Sequence, residues 1–287
     1  MTLRIGLIGH GRWGNNIENT LRAIPDVEYV ALEHDIPDGL NGVCIATPSA
    51  THAGLALRCI EKRIPTFIEK PLATSAADAE RIQEAAEKAQ VLVFVGHIHL
   101  SNPAFLAVCD LLPQIGDIRA LSFEHLYAVA RTDSSVFWDC LPHTFSMALR
   151  LTRQQPTRLQ AWSLTRTGEG LTESGAVLAS FGDIPVFSEV NWLSPVKRTT
   201  LTVLGTEGTI LLDDTAKEKK IALHKEAVSY PPYDATPPLT RELESFLSAI
   251  REGEYSHPSL VEGVTIVRMI EAVERAAQTG ESVSITP

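Results

Sequence analysis

The sequence predicts an α/β chain. Its N-terminal part reads as a parallel, doubly wound sheet, and its C-terminal part as an α+β domain with a mainly antiparallel, open-faced sheet. Three observations carry this. Short apolar runs alternate with helical patterns through the first part of the chain. A glycine-rich turn joins the first run to the first helix. Beyond Ile118 the alternation gives way to successive strand-like runs divided by turns. A boundary at this change of rhythm divides the chain into 1–117 and 118–287.

LRIGLIG is a short buried strand, and Ile17, Leu21 and Ile24 lie on one helical face behind it. VEYVALE and GVCIAT are the second and third strands. THAGLALRCIEKR is a helix, PTFIE a strand, and SAADAERIQEAAEKAQ a helix in which Ser75 and Asp78 form a capping pair. VLVFVGH is the next strand. Asn102 then caps a helix that opens on Pro103, where the missing N–H costs nothing. Past the boundary, strand-like runs continue to GTILLDD, interrupted by one helix at about 140–152. After the proline-rich YPPYDATPP come two helices, at about 239–252 and 260–279. Only the short DIPDGLN separates VALEH from GVCIAT, so the first sheet lacks the helix and strand that a full doubly wound half would place there.

Composition narrows the function. The 287 residues are 44% hydrophobic and 21% charged, and the formal net charge is −10. That balance disfavours nucleic acid and anionic membrane, whose phosphates would be repelled. No run has the ~18 continuous apolar residues of a membrane span, and no signal peptide is read at the start, so a cytoplasmic location is expected. Cys44, Cys59, Cys109 and Cys140 are widely spaced and form no CxxC, which suits reduced, mostly buried thiols.

The turn Gly9-x-Gly11-x-x-Gly14 follows a strand and precedes a helix. The first glycine permits a tight turn, the second lets backbone approach a pyrophosphate, and the third allows close helix–strand packing. The helix start supplies aligned N–H donors. This is the fingerprint of a Rossmann-like dinucleotide site. His10, Arg12 and Trp13 either meet the ligand or pack locally, and an arginine beside a phosphate is physically sensible. An acid about 20 residues on binds the adenine ribose. Glu33 and Asp35, with His34 between them, either fill this place, where an acid favours NAD over NADP, or are loop charges.

ATPSATH at 46–52 and EKPLA at 69–73 extend the pattern, and with them the chain resembles the glucose–fructose oxidoreductase/inositol dehydrogenase (Gfo/Idh/MocA) family of sugar oxidoreductases. GHIHLSNPAF, WDCLPHTF, LGTEGTILLDD and ELESFLSAIREGEYSHPSLVEGV are similar to further family segments, so the resemblance spans nearly the whole chain. It implies an NAD(P)-dependent enzyme. Thr47, Pro48, His52 and Glu69 would line the cofactor, with His52 near the nicotinamide ribose. Lys70 would touch both cofactor and reacting hydroxyl, lowering the cost of alkoxide-like charge. Pro71 would set the chain's exit.

Asp139 and His143 are four apart and share a helical face. By the resemblance His143 is the general base, and Asp139 either hydrogen-bonds the substrate or tunes that proton transfer; an imidazole suits the task because it titrates near working pH. Two positions depart from the family pattern: Ser146 stands where an Asp is common, and Leu100 where an Arg is common. Both leave the substrate open among sugars, nucleotide sugars and cyclitols. NWLSPVKRTTLTVLGTEG is similar to a subgroup acting on nucleotide-linked amino sugars, in which Lys197 and Arg198 either meet a phosphate or are solvated strand ends. The resemblance also admits a cofactor-retaining glycosidase or dehydratase, and a non-catalytic dinucleotide- or sugar-binding regulator. A homodimer or homotetramer paired through the open sheet face is expected. His97 and His99, read as a strand pair on one face, would begin a metal site, but no third ligand is evident and no metal is expected. Cys140 is read as packing.

Overall fold

The computed structural model describes residues 2–33, 35–128, 134–166 and 170–285. The chain forms two compact units. The first comprises residues 1–101 with 236–267, and the second residues 102–235 with 268–287.

The first unit is built on β1 (Leu3–Ile8), α1 (Arg12–Ala23), β2 (Val27–Leu32), β3 (Gly42–Ile45), α2 (His52–Glu61), β4 (Thr66–Glu69), α3 (Ala76–Ala89) and β5 (Val93–Gly96). Its five strands lie in the order β2-β1-β3-β4-β5, all parallel. The order reverses direction between β1 and β3, and that switch point is where ligands enter such sheets. β3, β4 and β5 are buried along their whole length and apolar apart from Thr66 and Glu69 at the ends of β4. The passage from β2 to β3 holds neither helix nor strand among its described residues, so β2 is an edge.

In the second unit, α4 (Pro103–Leu111) precedes β6 (Ile118–Ala128) and α5 (Val136–Thr152). Then come β7 (Pro156–Arg166), β8 (Thr172–Phe181), β9 (Ile184–Asn191), β10 (Leu193–Gly205), β11 (Thr209–Asp213), β12 (Ile221–His224) and β13 (Val228–Ser229). Next along the chain are two helices, α6 (Pro238–Glu252), which belongs to the first unit, and α7 (Pro258–Thr279), and then β14 (Val283–Ser284). The nine-stranded sheet runs β13-β12-β11-β10-β6-β9-β8-β7-β14. Its pairings are antiparallel except β6 with β9. One face is buried, through residues such as Leu121, Phe123, Val177, Val186 and Val203. The other leaves Trp162, Leu164, Phe187, Leu204 and Leu211 exposed.

Both anticipated caps form. Ser75 Oγ accepts from the Asp78 amide at 3.1 Å, and Asn102 Oδ1 accepts from the Ala104 amide at 3.0 Å. The division into two contiguous segments is not what the units display, since residues 236–267 return to the first. The reason is coverage. Leu239, Leu243, Phe246 and Leu247 of α6 join Ile17 and Leu21 of α1 in one core over Leu3, Ile5, Leu7, Phe67 and Phe94. The short β2–β3 passage supplies no helix for this face, and α6 fills the place. Phe67 stacks on Phe94 at 5.7 Å, with Phe246 tilted against both. Edge strand β5 is closed off by Ser259 at the start of α7, whose hydroxyl oxygen accepts from the Val95 amide at 3.0 Å.

Candidate active site

The glycine turn has the geometry that its sequence requires. Gly9 has φ +101°, and a Cβ there would lie 2.5 Å from backbone atoms of Ala46. A Cβ on Gly14 would meet the Gly9 carbonyl oxygen at 1.9 Å, so only glycine lets α1 pack this closely on β1. A Cβ on Gly11 would meet open space, which leaves that backbone free for a ligand. Gly11 is also the N-cap of α1, and no side chain caps it. The first-turn amides therefore keep their donors for an anion. These features fit a dinucleotide pyrophosphate. Arg12 is exposed at the first helical position, and the His10 imidazole contacts the Leu32 carbonyl at 3.0 Å, tying the turn to the end of β2. Glu33 and Asp35 follow that end and are exposed, while His34 lies outside the described residues.

At the end of β4, Glu69 is only 8% exposed. Oε1 accepts from the Trp13 indole N–H, and Oε2 lies 3.3 Å from the Lys70 amide. Burial pushes this carboxyl up to about 7, against the pull of Trp13 and Lys70. Gly96 pairs opposite Glu69 on β5, and a Cβ on it would lie 2.7 Å from the Phe67 ring and 3.5 Å from Glu69 Oε1. Lys70 itself is half-buried and precedes a cis bond to Pro71.

His52, the first residue of α2, is 1% exposed. Its Nδ1 lies 2.8 Å from the Pro71 carbonyl and its Nε2 3.0 Å from the Thr47 carbonyl. The ring spans the turns that follow β3 and β4. Burial, seconded by Lys70, lowers its basicity, while the two carbonyls act in the opposite direction. A neutral ring donates to one carbonyl at a time, and the shorter contact favours Pro71. Pro48 is exposed, and its carbonyl accepts from the Thr51 amide at 2.9 Å and hydroxyl at 2.8 Å.

In the second unit, Asp139 and His143 sit on successive turns of α5, both half-buried. The Tyr127 hydroxyl donates to Asp139 Oδ2 at 2.6 Å and lies 3.2 Å from Cys140 Sγ. Cys140 is buried. Burial first, then Cys140 and Asp139, push the phenol up, so it remains a donor. The His125 ring lies 6.0 Å from that of His143. Pro142, inside the helix, has no N–H to offer the carbonyl four residues back. Ser146 is buried, and its hydroxyl donates to the His143 carbonyl at 3.0 Å, so it is spent on the helix itself. Arg198 pairs with Glu124 at 3.2 Å, and Thr200 donates to the same carboxylate at 2.8 Å.

One expectation changes. His97 and His99 do not share a strand: β5 ends at Gly96, and His99 falls in a 3-10 turn over Ile98–Ser101. Among the described residues no group of three or more His, Cys, Asp or Glu is arranged to hold a metal ion, and no helix is long and apolar enough to cross a membrane. Tyr127 and His125 went unremarked in the sequence. The signal was there: in LSFEHLYA they occupy the same alternate positions as core-facing Leu121 and Phe123, where a polar side chain calls for a reason.

Comparison with known proteins defines the class. Residues 21–97 match the family described as "Oxidoreductase family, NAD-binding Rossmann fold", and residues 114–211 match the "GFO/IDH/MocA C-terminal domain". The chain belongs to the Gfo/Idh/MocA family and is an NAD-binding oxidoreductase. It is similar to inositol 2-dehydrogenase 1 of Saccharopolyspora erythraea, 24% identical over 99% of this chain and 97% of that one. It is also similar to UDP-N-acetylglucosamine 3-dehydrogenase of Acidithiobacillus ferrooxidans, 28% identical over 49% of this chain and 43% of that one. In fold it matches the crystal structure of GenD2 from gentamicin A biosynthesis in complex with NAD. That match has TM-score 0.85 at 20% identity and covers 100% of this chain and 97% of that one.

Proposed function

We propose that the chain moves a hydride between a nicotinamide dinucleotide and the hydroxyl-bearing carbon of a sugar, nucleotide sugar or cyclitol. The observation that carries this reading is the ending of β4. Buried Glu69 and half-buried Lys70 stand at the carboxyl end of a parallel strand in the unit that holds the glycine-lined start of α1. When bound, the dinucleotide supplies the redox chemistry. The amides of the glycine turn and Arg12 hold its pyrophosphate. Glu33 receives a ribose hydroxyl and repels a 2′-phosphate, which favours NAD over NADP. Thr47, Pro48 and His52 shape the nicotinamide end.

Lys70 steadies the charge growing on the substrate oxygen, and His143 takes the hydroxyl proton. Asp139, fixed by Tyr127, orients the substrate or the base. The relatives named for inositol and for UDP-N-acetylglucosamine support this range of substrates. The exposed apolar sheet face of the second unit suits pairing with another copy, as a homodimer or homotetramer, and we assign the protein to the cytoplasm.

A thermal-shift series with NAD, NADH, NADP and NADPH, followed by cyclitols and nucleotide sugars beside the best dinucleotide, tests the assignment. Stabilisation by NAD or NADH, then substrate-dependent appearance of NADH, is expected. Turnover of a sugar without net NADH would favour the cofactor-retaining chemistry, and no response to any dinucleotide would overturn both.

A further inference from the structure

Hydride transfer as proposed uses Lys70, but the first unit buries further ionisable groups. Glu69 is 8% exposed, His97 3% and Glu242 of α6 1%. Glu242 Oε2 is fully buried and has no hydrogen-bond partner, and neither ring nitrogen of His97 has one. A carboxylate held this way would be charged, out of water and unsatisfied, which costs several kcal/mol. Packing brings the two together: the ring of Phe246, one helical turn on from Glu242, lies 5.8 Å from that of Phe67, and Glu69 stands two residues on from Phe67 on the same face of β4. Glu69 raises Glu242 in the same direction as burial does, and Glu242 acts with Glu69 on the thiol of Cys44.

Their surroundings are unequal. Glu69 receives the Trp13 indole N–H and faces the Lys70 amide and ammonium, all of which favour its ionised form. Burial and the charge of Glu69 both oppose ionisation of Glu242. The other titratable groups around the pair add no negative charge. The thiol of Cys44 on β3 is pushed up by burial and by both carboxyls, so it stays neutral. Burial and Lys70 lower His97, beyond β5, to about 3. Half-buried His99 lies in the following turn.

We propose that Glu242 is a positioning residue that shares a single proton with Glu69, so that the two carboxyl groups together present one negative charge to Lys70. Two carboxyls kept close out of water do not both ionise, and their protons belong to the pair. The lysine thereby meets one counter-charge, enough to orient the ammonium without drawing it from a substrate oxygen. The device reaches β4 from a helix more than half the chain away. It rests on the proposed role of Lys70.

The test is first spectroscopic and needs neither cofactor nor turnover. Infrared spectra of the full chain in mildly alkaline buffer should contain the carbonyl band of a protonated, buried carboxylic acid, and Glu242→Gln should abolish it. A wild type without the band, or a band unchanged in E242Q, overturns the shared proton. Turnover then judges positioning. The loss in kcat caused by Glu69→Gln should be about tenfold larger in an E242Q background than alone, because the remaining carboxyl no longer supplies the charge. Additive losses overturn the positioning role. Failure of the wild type to reduce any dinucleotide would strike the dehydrogenase reading instead, while the band still decides the proton.

Discussion

The Tyr127 hydroxyl donates to Asp139 Oδ2 across 2.6 Å, joining strand β6 to the face of α5 that carries His143. Hydrogen bonds to charged groups contribute about 1.5–3 kcal/mol. If Asp139 serves the reaction as proposed, Tyr127→Phe should lower kcat/KM by about tenfold or more, with little change in the dinucleotide thermal shift. Steady-state kinetics beside a binding titration checks this. Equal losses in both would place Tyr127 in general folding.

The glycine turn makes a sharper prediction, because two of its glycines meet different surroundings. Gly14→Ala forces a Cβ to within 1.9 Å of the Gly9 carbonyl oxygen, whereas Gly11→Ala meets nothing in the protein. G14A should therefore lower the Tm of the ligand-free chain. G11A should leave that Tm near wild type yet abolish the shift produced by NAD. Scanning both variants with and without dinucleotide separates packing from binding.

Lys70 and His143 each carry a prediction for turnover. Lys70→Ala is expected to reduce kcat about a hundred- to a thousandfold, the usual loss for a charge-stabilising group. His143→Asn should cost a comparable factor through lost proton transfer. Both variants should retain the wild-type circular dichroism spectrum. Unimpaired kcat in K70A would remove the lysine from the chemistry.

Glu69 also marks the pH dependence of stability. Its carboxyl moves from an ordinary value of 4.5 to about 7 in the folded chain. The folded state thus binds this proton more tightly than the unfolded state. The stability it contributes is complete below about pH 4.5 and is lost as the pH rises to about 7, amounting to ~3 kcal/mol at most. Relative to wild type, Glu69→Gln should flatten the fall in unfolding free energy over that window, as read by urea denaturation at successive pH values.

Much of this architecture is legible in the residues. The alternating runs, the Ser75 and Asn102 caps and the two final helices follow from local rules of periodicity and capping. Long-range pairing does not. Nothing near LSFEHLYA or PVFSEVN announces that β6 and β9 run parallel, and nothing in ELESFL states which sheet its apolar face will cover. The site divides in the same way. Gly9, Gly11, Gly14, Glu69 and Lys70 stand out by motif. Tyr127, His125 and Glu242 matter through what surrounds them, and the histidines after β5 were misplaced because the strand stops one residue sooner than its apolar run suggests.

The direct passage from β2 to β3 carries a kinetic implication. With β2 as the outer strand, an adenine has less protein to bury itself against than in a sheet extended by another strand. Weaker apolar contact shortens residence more than it slows arrival. A coenzyme held that way swaps its spent form for a fresh one from bulk solution after each cycle, and initial-rate plots should accordingly display a ternary-complex pattern.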